Sequence, residues 1–105
     1  MPATHLPAIH LRTAHVLDRT YRPSAAVLTT GAAGDSVLLD LTRSARFGLD
    51  PMGARVWTLL AQGCTGRLAV ELVAVEYSVA PEAAAAEVAA LVERLTRASL
   101  LFSAA

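Results

Sequence analysis

The stretch SVLLDLTRSARFGLDPMGARVWTLL, Ser36 to Leu60, contains a strand, a tight turn, a second short strand and a helix entered through Asp50-Pro51. In the first predicted strand, Ser36–Thr42, Val37, Leu39 and Leu41 fall on one face and Leu38, Asp40 and Thr42 on the other. The second, Arg46–Leu49, puts Phe47 and Leu49 on one face. A two-residue loop at Arg43-Ser44 would set Leu41 opposite Arg46 and Asp40 opposite Phe47, which mixes apolar and polar faces. A three-residue loop, Arg43 to Ala45, sets Leu41 opposite Phe47 and Leu39 opposite Leu49, and is the expected register. Such a loop needs one residue at positive φ, and none of Arg43, Ser44 and Ala45 adopts it without cost.

Upstream, Ala25–Thr30 reads as a further strand, joined to Ser36 through the turn Gly31-Ala-Ala-Gly34. Residues 1–24 differ from the rest: Pro2, Pro7 and Pro23 punctuate them and no period persists, so they read as an arm with a short strand near Ile9–Arg12. Downstream come three helices. Asp50 caps the first, Pro51 suits its first position, Gly63 suits its exit, and Met52, Val56, Leu59 and Leu60 form its stripe with Trp57 alongside. The second follows Thr65, with Leu68, Leu72 and Val75 as its core stripe, Val73 adjoining and Tyr77 closing it. The third opens at Pro81-Glu82 and carries Val88, Leu91, Val92 and Leu95. Leu100-Leu101-Phe102 then folds back as an apolar tail. Strands followed by helices without alternation indicate an α+β fold. Three helices on a three-stranded antiparallel sheet, joined by short connections, make it winged-helix-like. The expected division is an arm over 1–24 and a domain over 25–102.

The 105 residues suffice for one modest core, and 54% of them are apolar. Nine basic residues balance nine acidic ones, without the basic excess of a nucleic-acid binder. The single cysteine, Cys64, forms no internal disulfide and suits a reducing cytoplasm. No apolar run approaches the roughly 18 residues of a membrane span, and the N-terminus lacks the pattern of a secretory signal.

Little here points to catalysis, a metal or a cofactor. His5, His10 and His15 recur every five residues, a step that scatters rings around a helix and alternates them across a strand, so they read as exposed arm residues rather than zinc ligands. Cys64 has no histidine near it in sequence to act as base. The acids have local roles as caps, turns and solvated faces; there is no phosphate-binding glycine loop and no nucleophile elbow. DNA binding, the alternative for a winged-helix regulator, would need basic residues on one helix. The last two helices carry Arg67, Arg94 and Arg97 against Glu71, Glu76, Glu82, Glu87 and Glu93, a balance that repels phosphate.

What remains is an edge. In a three-strand meander the outer side of Arg46–Leu49 has unpaired N–H and C=O groups. It can be blunted by Arg46 or covered by the arm, or it can accept a peptide as an added strand while the third helix supplies apolar pockets. Gly48, without a side chain, would let such a ligand come close.

Ser36-Val-Leu-Leu-Asp40, then Phe47-Gly-Leu-Asp50, then Gly53-Ala-Arg-Val-Trp57-Thr-Leu-Leu-Ala-Gln-Gly63, with Tyr77-Ser-Val and the closing Leu95…Ser99-Leu-Leu, together resemble PqqD-like proteins, the recognition elements for ribosomally made, modified peptides. Arg22-Pro23 is similar to the stand-alone members of lasso-peptide pathways. The resemblance covers residues 22–102. It implies a non-catalytic adaptor that binds the leader of a precursor peptide between the third strand and third helix and delivers it to a maturation enzyme, in lasso systems a leader peptidase. It places the peptide on Arg46, Phe47, Gly48 and Leu49, with Val88, Leu91, Val92 and Leu95 in the groove wall, and leaves open which of the helical four face the groove. The expected partners are thus a leader peptide and an enzyme, with neither nucleic acid nor membrane and with a homodimer left open. Ser44, Asp50 and Ser99 depart from the family's usual glycine, asparagine and glycine. The arm is longer than the family leads one to expect.

Overall fold

A computed structural model describes residues 15–31 and 36–104. The expected turn at Gly31–Gly34 lies mostly outside these residues, and the strand near Ile9–Arg12, with His5 and His10, lies wholly outside them. After a helical turn at residues 15–17 come β1 (Tyr21–Pro23), β2 (Val27–Thr30), β3 (Ser36–Asp40), β4 (Ala45–Leu49), α1 (Pro51–Ala61), α2 (Gly66–Glu76), α3 (Pro81–Arg97) and β5 (Leu101–Ser103). The fold is α+β: an antiparallel meander in the order β2-β3-β4 packs on the helices, and β1 and β5 form a separate antiparallel pair. This is the winged-helix-like arrangement the sequence predicts, with an added two-stranded clasp.

Local chemistry sets the helix ends. Asp50 Oδ1 accepts the Gly53 N–H at 2.7 Å, and Pro51 follows at a position where no N–H is needed. Gly63 leaves α1 at φ 98°, and the Thr65 hydroxyl accepts the Leu68 N–H at 3.1 Å to open α2. The core lies between the sheet and the helices. Leu38 and Leu49 meet Val56, Leu60, Val88, Leu91, Val92 and Leu95 there. Trp57 is buried beside them and donates its indole N–H to Thr29 Oγ1 at 3.3 Å, tying α1 to β2.

Three expectations are corrected. The hairpin register is neither of those weighed. Four residues, 41–44, make the turn, so Asp40 pairs with Ala45, Leu39 with Arg46, Leu38 with Phe47 and Ser36 with Leu49. The buried face of β3 therefore holds Leu38 and Asp40, while Leu41 is 66% exposed. The cause is Asp40. Its carboxylate accepts the N–H groups of Thr42 and Arg43 at 3.0 and 3.2 Å and the Arg43 guanidinium at 3.1 Å, which closes the turn and satisfies a carboxylate only 3% exposed. Ser44 takes the positive φ, 53°.

The second correction is the phase of α2. Leu68 and Val75 face solvent, Val75 at 80% exposure, while Ala69, Val70, Val73 and Ala74 are buried. Small residues win the inner face because α2 packs close to its neighbours. At its start, a Cβ on Gly66 would lie 2.9 Å from Leu17 Cα.

The third concerns residues 15–23, read as part of the arm. Leu17 and Tyr21 are in the core, Tyr21 Oη donates to the Val16 carbonyl at 2.8 Å, and β1 pairs residue for residue with β5. The apolar tail does fold back as expected: Leu100 and Leu101 are buried, and β5 follows a helix exit in which Ser99 sits at φ 60°.

Candidate functional site: an open strand edge beside a helix

The orientation of the β4 backbone follows from one hydrogen bond. The Leu41 N–H donates to the Ala26 carbonyl at 3.0 Å, continuing the register in which Val27 faces Asp40. Polar groups alternate sides along an antiparallel strand, so Leu39 and Val37 also point to β2, and Asp40 and Leu38 point to β4. Their partners Ala45 and Phe47 point back. The N–H and C=O groups of Arg46 and Gly48 are thus directed at the open side of β4, and among the described residues no strand pairs there. Side chains follow the other alternation. Phe47 and Leu49 turn inward toward the helices, Arg46 and Gly48 outward.

Beside this edge runs a groove against α3. Its larger recess, about 400 Å³, is bounded by Gly48 and Leu49 of β4, by Met52, Gly53 and Val56 of α1, and by Glu87, Val88, Ala90, Leu91 and Arg94 of α3, with Asp50 at its rim. A Cβ at Gly53 would press on the capping Asp50 Oδ1 at 3.0 Å, while Leu91 Cδ2 of α3 would lie at ordinary contact distance, 3.6 Å. A smaller recess, about 60 Å³, lies at the turn end between Ala45, Arg46, Phe47, Ala98 and Leu100, with Asp40 and Arg43 behind. Between the two, the Arg94 guanidinium stands over the Phe47 ring at 5.5 Å from its centroid. Because α3 runs antiparallel to β4, its middle faces Gly48 and its exit faces Ala45.

Of the eight residues named from sequence, Gly48, Leu49, Val88 and Leu91 line the larger recess, and Arg46 and Phe47 the smaller. Val92 and Leu95 line neither. They are buried beneath the groove, where their role is packing. Sequence reasoning missed Met52, Glu87, Ala90 and Arg94. The signal was available in part: Glu87, Ala90, Leu91 and Arg94 recur at i, i+3, i+4 and i+7, a stripe bordering the core stripe of α3.

The electrostatics are those of a structural scaffold. Burial works to raise the Asp40 pKa, but the hydrogen bonds and charge of Arg43, with the Thr42 N–H, outweigh it and hold the carboxyl below its usual range. Glu76, gripped through two contacts of 3.0 Å by Arg55, is likewise lowered, chiefly by that hydrogen bonding. Arg67 is committed to Asp18 at 2.7 Å. Among the described residues no group of three His, Cys, Asp or Glu side chains is placed to hold a metal ion, and no helix is long and apolar enough to cross a membrane.

Comparison with known proteins agrees with this geometry. The sequence profile of the family described as Coenzyme PQQ synthesis protein D (PqqD) matches residues 35–101. Among solved structures, the chain is similar to TbiB1 in complex with the TbiA(beta) leader peptide, with 31% identity and a TM-score of 0.71, covering 76% of this chain and 93% of that one. It is also similar in fold to lasso peptide synthetase B1 complexed with the leader peptide, with 22% identity and a TM-score of 0.72, covering 78% and 96%. No curated protein matches.

Proposed function

The chain belongs to the PqqD family, and from that premise we propose that it is a non-catalytic adaptor, which takes the leader of a ribosomally made precursor peptide as an added strand on β4 and presents it to a maturation enzyme. The observation that carries this reading is the outward pair of N–H and C=O groups on Arg46 and Gly48, beside a groove of about 400 Å³. Main-chain bonds to these groups supply affinity with little regard to sequence, and alternate side chains of the peptide enter the two recesses. Gly48, Leu49, Val88 and Leu91 receive an apolar side chain in the larger recess; Phe47 and Arg46 frame the smaller one. TbiB1, bound to a leader peptide and 31% identical to this chain, supports a leader peptide as the ligand. A lasso-type leader peptidase in the cytoplasm is the enzyme we propose it serves, on the resemblance of Arg22-Pro23 to stand-alone lasso-pathway members.

The test uses two variants of one residue. A Cβ at Gly48 would meet nothing within 4 Å, so Gly48→Ala should fold. An edge position whose N–H points outward also tolerates proline, and circular dichroism checks that Gly48→Pro is folded. Proline additionally removes the outward N–H, which makes no bond to β3. Calorimetric titration with the TbiA(beta) leader peptide, the ligand of the 31%-identical TbiB1, should show binding by the alanine variant and at least a tenfold loss by the proline variant. A folded Gly48→Pro protein with unchanged affinity would falsify the added-strand mechanism.

A further inference from the structure

The groove is electrically polarised along its length. At the turn end Arg43 and Arg46 flank the smaller recess and Arg94 stands over Phe47, against the single carboxylate of Asp40, which Arg43 already holds at 3.1 Å. Arg46 is exposed and makes no ion pair with any described residue. Arg94 also borders the larger recess, on the side nearer Phe47; beyond it, at the far end, that recess carries Asp50 and Glu87, both exposed. A strand lying along β4 passes from one field into the other within the five residues of Ala45–Leu49.

Resting on the reading of this edge as a peptide site, we propose that the groove selects its peptide by charge order. It takes an acidic residue at the turn end, where Arg46 stands on the outer face of β4 and Arg94 over Phe47 on the inner one, spaced from a large apolar residue that fills the recess of Leu49, Val88 and Leu91, and it disfavours acids at the Asp50–Glu87 end. Backbone pairing alone accepts a strand in either direction, since Arg46 and Gly48 offer donors and acceptors alike. The charge gradient breaks that degeneracy. A carboxylate at the wrong end meets Asp50 and Glu87 and leaves Arg46 without a counter-charge, so repulsion contributes as much to selectivity as attraction.

Selection from a displayed library of random linear peptides tests this, with the full chain, Gly48→Pro and Arg46→Glu as separate baits. Sequences enriched on the wild-type chain but not on Gly48→Pro should carry Asp or Glu at a fixed spacing from a large apolar residue. The acid should be enriched by roughly 2- to 5-fold, the range of an exposed ion pair, and less at raised salt. Arg46→Glu, at an exposed site, should abolish that preference or invert it toward Lys and Arg. Arg94→Gln, which keeps size and removes charge, serves as the second variant. If an apolar pattern is enriched without an acid, or if the acid preference survives both arginine substitutions, charge selection is wrong and the added-strand reading stands. If the wild-type chain and Gly48→Pro enrich the same sequences, both readings fall.

Discussion

Asp40 is the residue on which the hairpin turns. It is buried, it closes the turn through Thr42 and Arg43, and its pKa is held down by those bonds. A carboxyl whose folded pKa lies below its unfolded value contributes stability that is fully present above the unfolded pKa, about 3.9, and is lost as pH falls through the folded one. Asp40→Asn should therefore melt well below the wild-type chain near neutrality. The gap between the two melting curves should close as the wild-type carboxyl protonates in acid. A gap that stays constant from neutral to acid pH would show that the charge is not what holds the turn. Two glycines make a contrasting pair. A Cβ at Gly48 enters open space, whereas one at Gly66 meets the Leu17 backbone at 2.9 Å. Gly66→Ala should lose about 1–3 kcal/mol in urea unfolding, the cost of overpacking, despite alanine's better helix propensity, while Gly48→Ala should be close to neutral.

At the scale of elements, three serines carry strain. Ser44, Ser78 and Ser99 sit at φ 53°, 53° and 60°, at the hairpin turn and at the exits of α2 and α3. Glycine relieves the Cβ clash of this conformation but loosens the unfolded chain, so Ser44→Gly and Ser99→Gly should each stabilise by up to about 1 kcal/mol, read as a rise in melting temperature. The same elements show which parts of the fold sequence reveals. Asp50-Pro51, Gly63 and Thr65 act on their nearest neighbours, so the bounds of α1 and the start of α2 could be read directly. The β3–β4 register could not, because face alternation treats Asp40 as a solvent residue and knows nothing of the turn its carboxylate closes. The phase of α2 failed for a related reason. Large side chains mark a core face only where there is room, and α2 packs through Ala69, Val73 and Ala74. In the site, the edge at Arg46–Leu49 was legible from strand order. Glu87 and Arg94 were not, since they are polar residues on a helix whose apolar stripe draws the eye to Val92 and Leu95, which lie under the groove.

Across the described molecule, the segments flanking the sheet and helices, residues 17–23 and 100–104, are held to each other and to the core. β1 and β5 pair, the Ala104 N–H donates to the Thr20 carbonyl at 3.0 Å, and Leu17 and Tyr21 are buried with Leu100 and Leu101. This clasp lies apart from the β2-β3-β4 sheet, so it stabilises the body without occupying the strand edge where the peptide is proposed to bind. Stability and binding should accordingly separate. Leu17→Ala removes a side chain buried against α2 and should cost about 2–5 kcal/mol, a large share of the roughly 5–15 kcal/mol of an ordinary domain. Tyr21→Phe removes the bond to the Val16 carbonyl and should cost about 1 kcal/mol. Urea unfolding of each variant should shift the midpoint at unchanged slope. At a temperature where both remain folded, their affinity for a leader peptide should match that of the wild-type chain. A loss of affinity in folded Tyr21→Phe would mean that the clasp and the groove are coupled, and that the groove depends on residues far from β4 and α3.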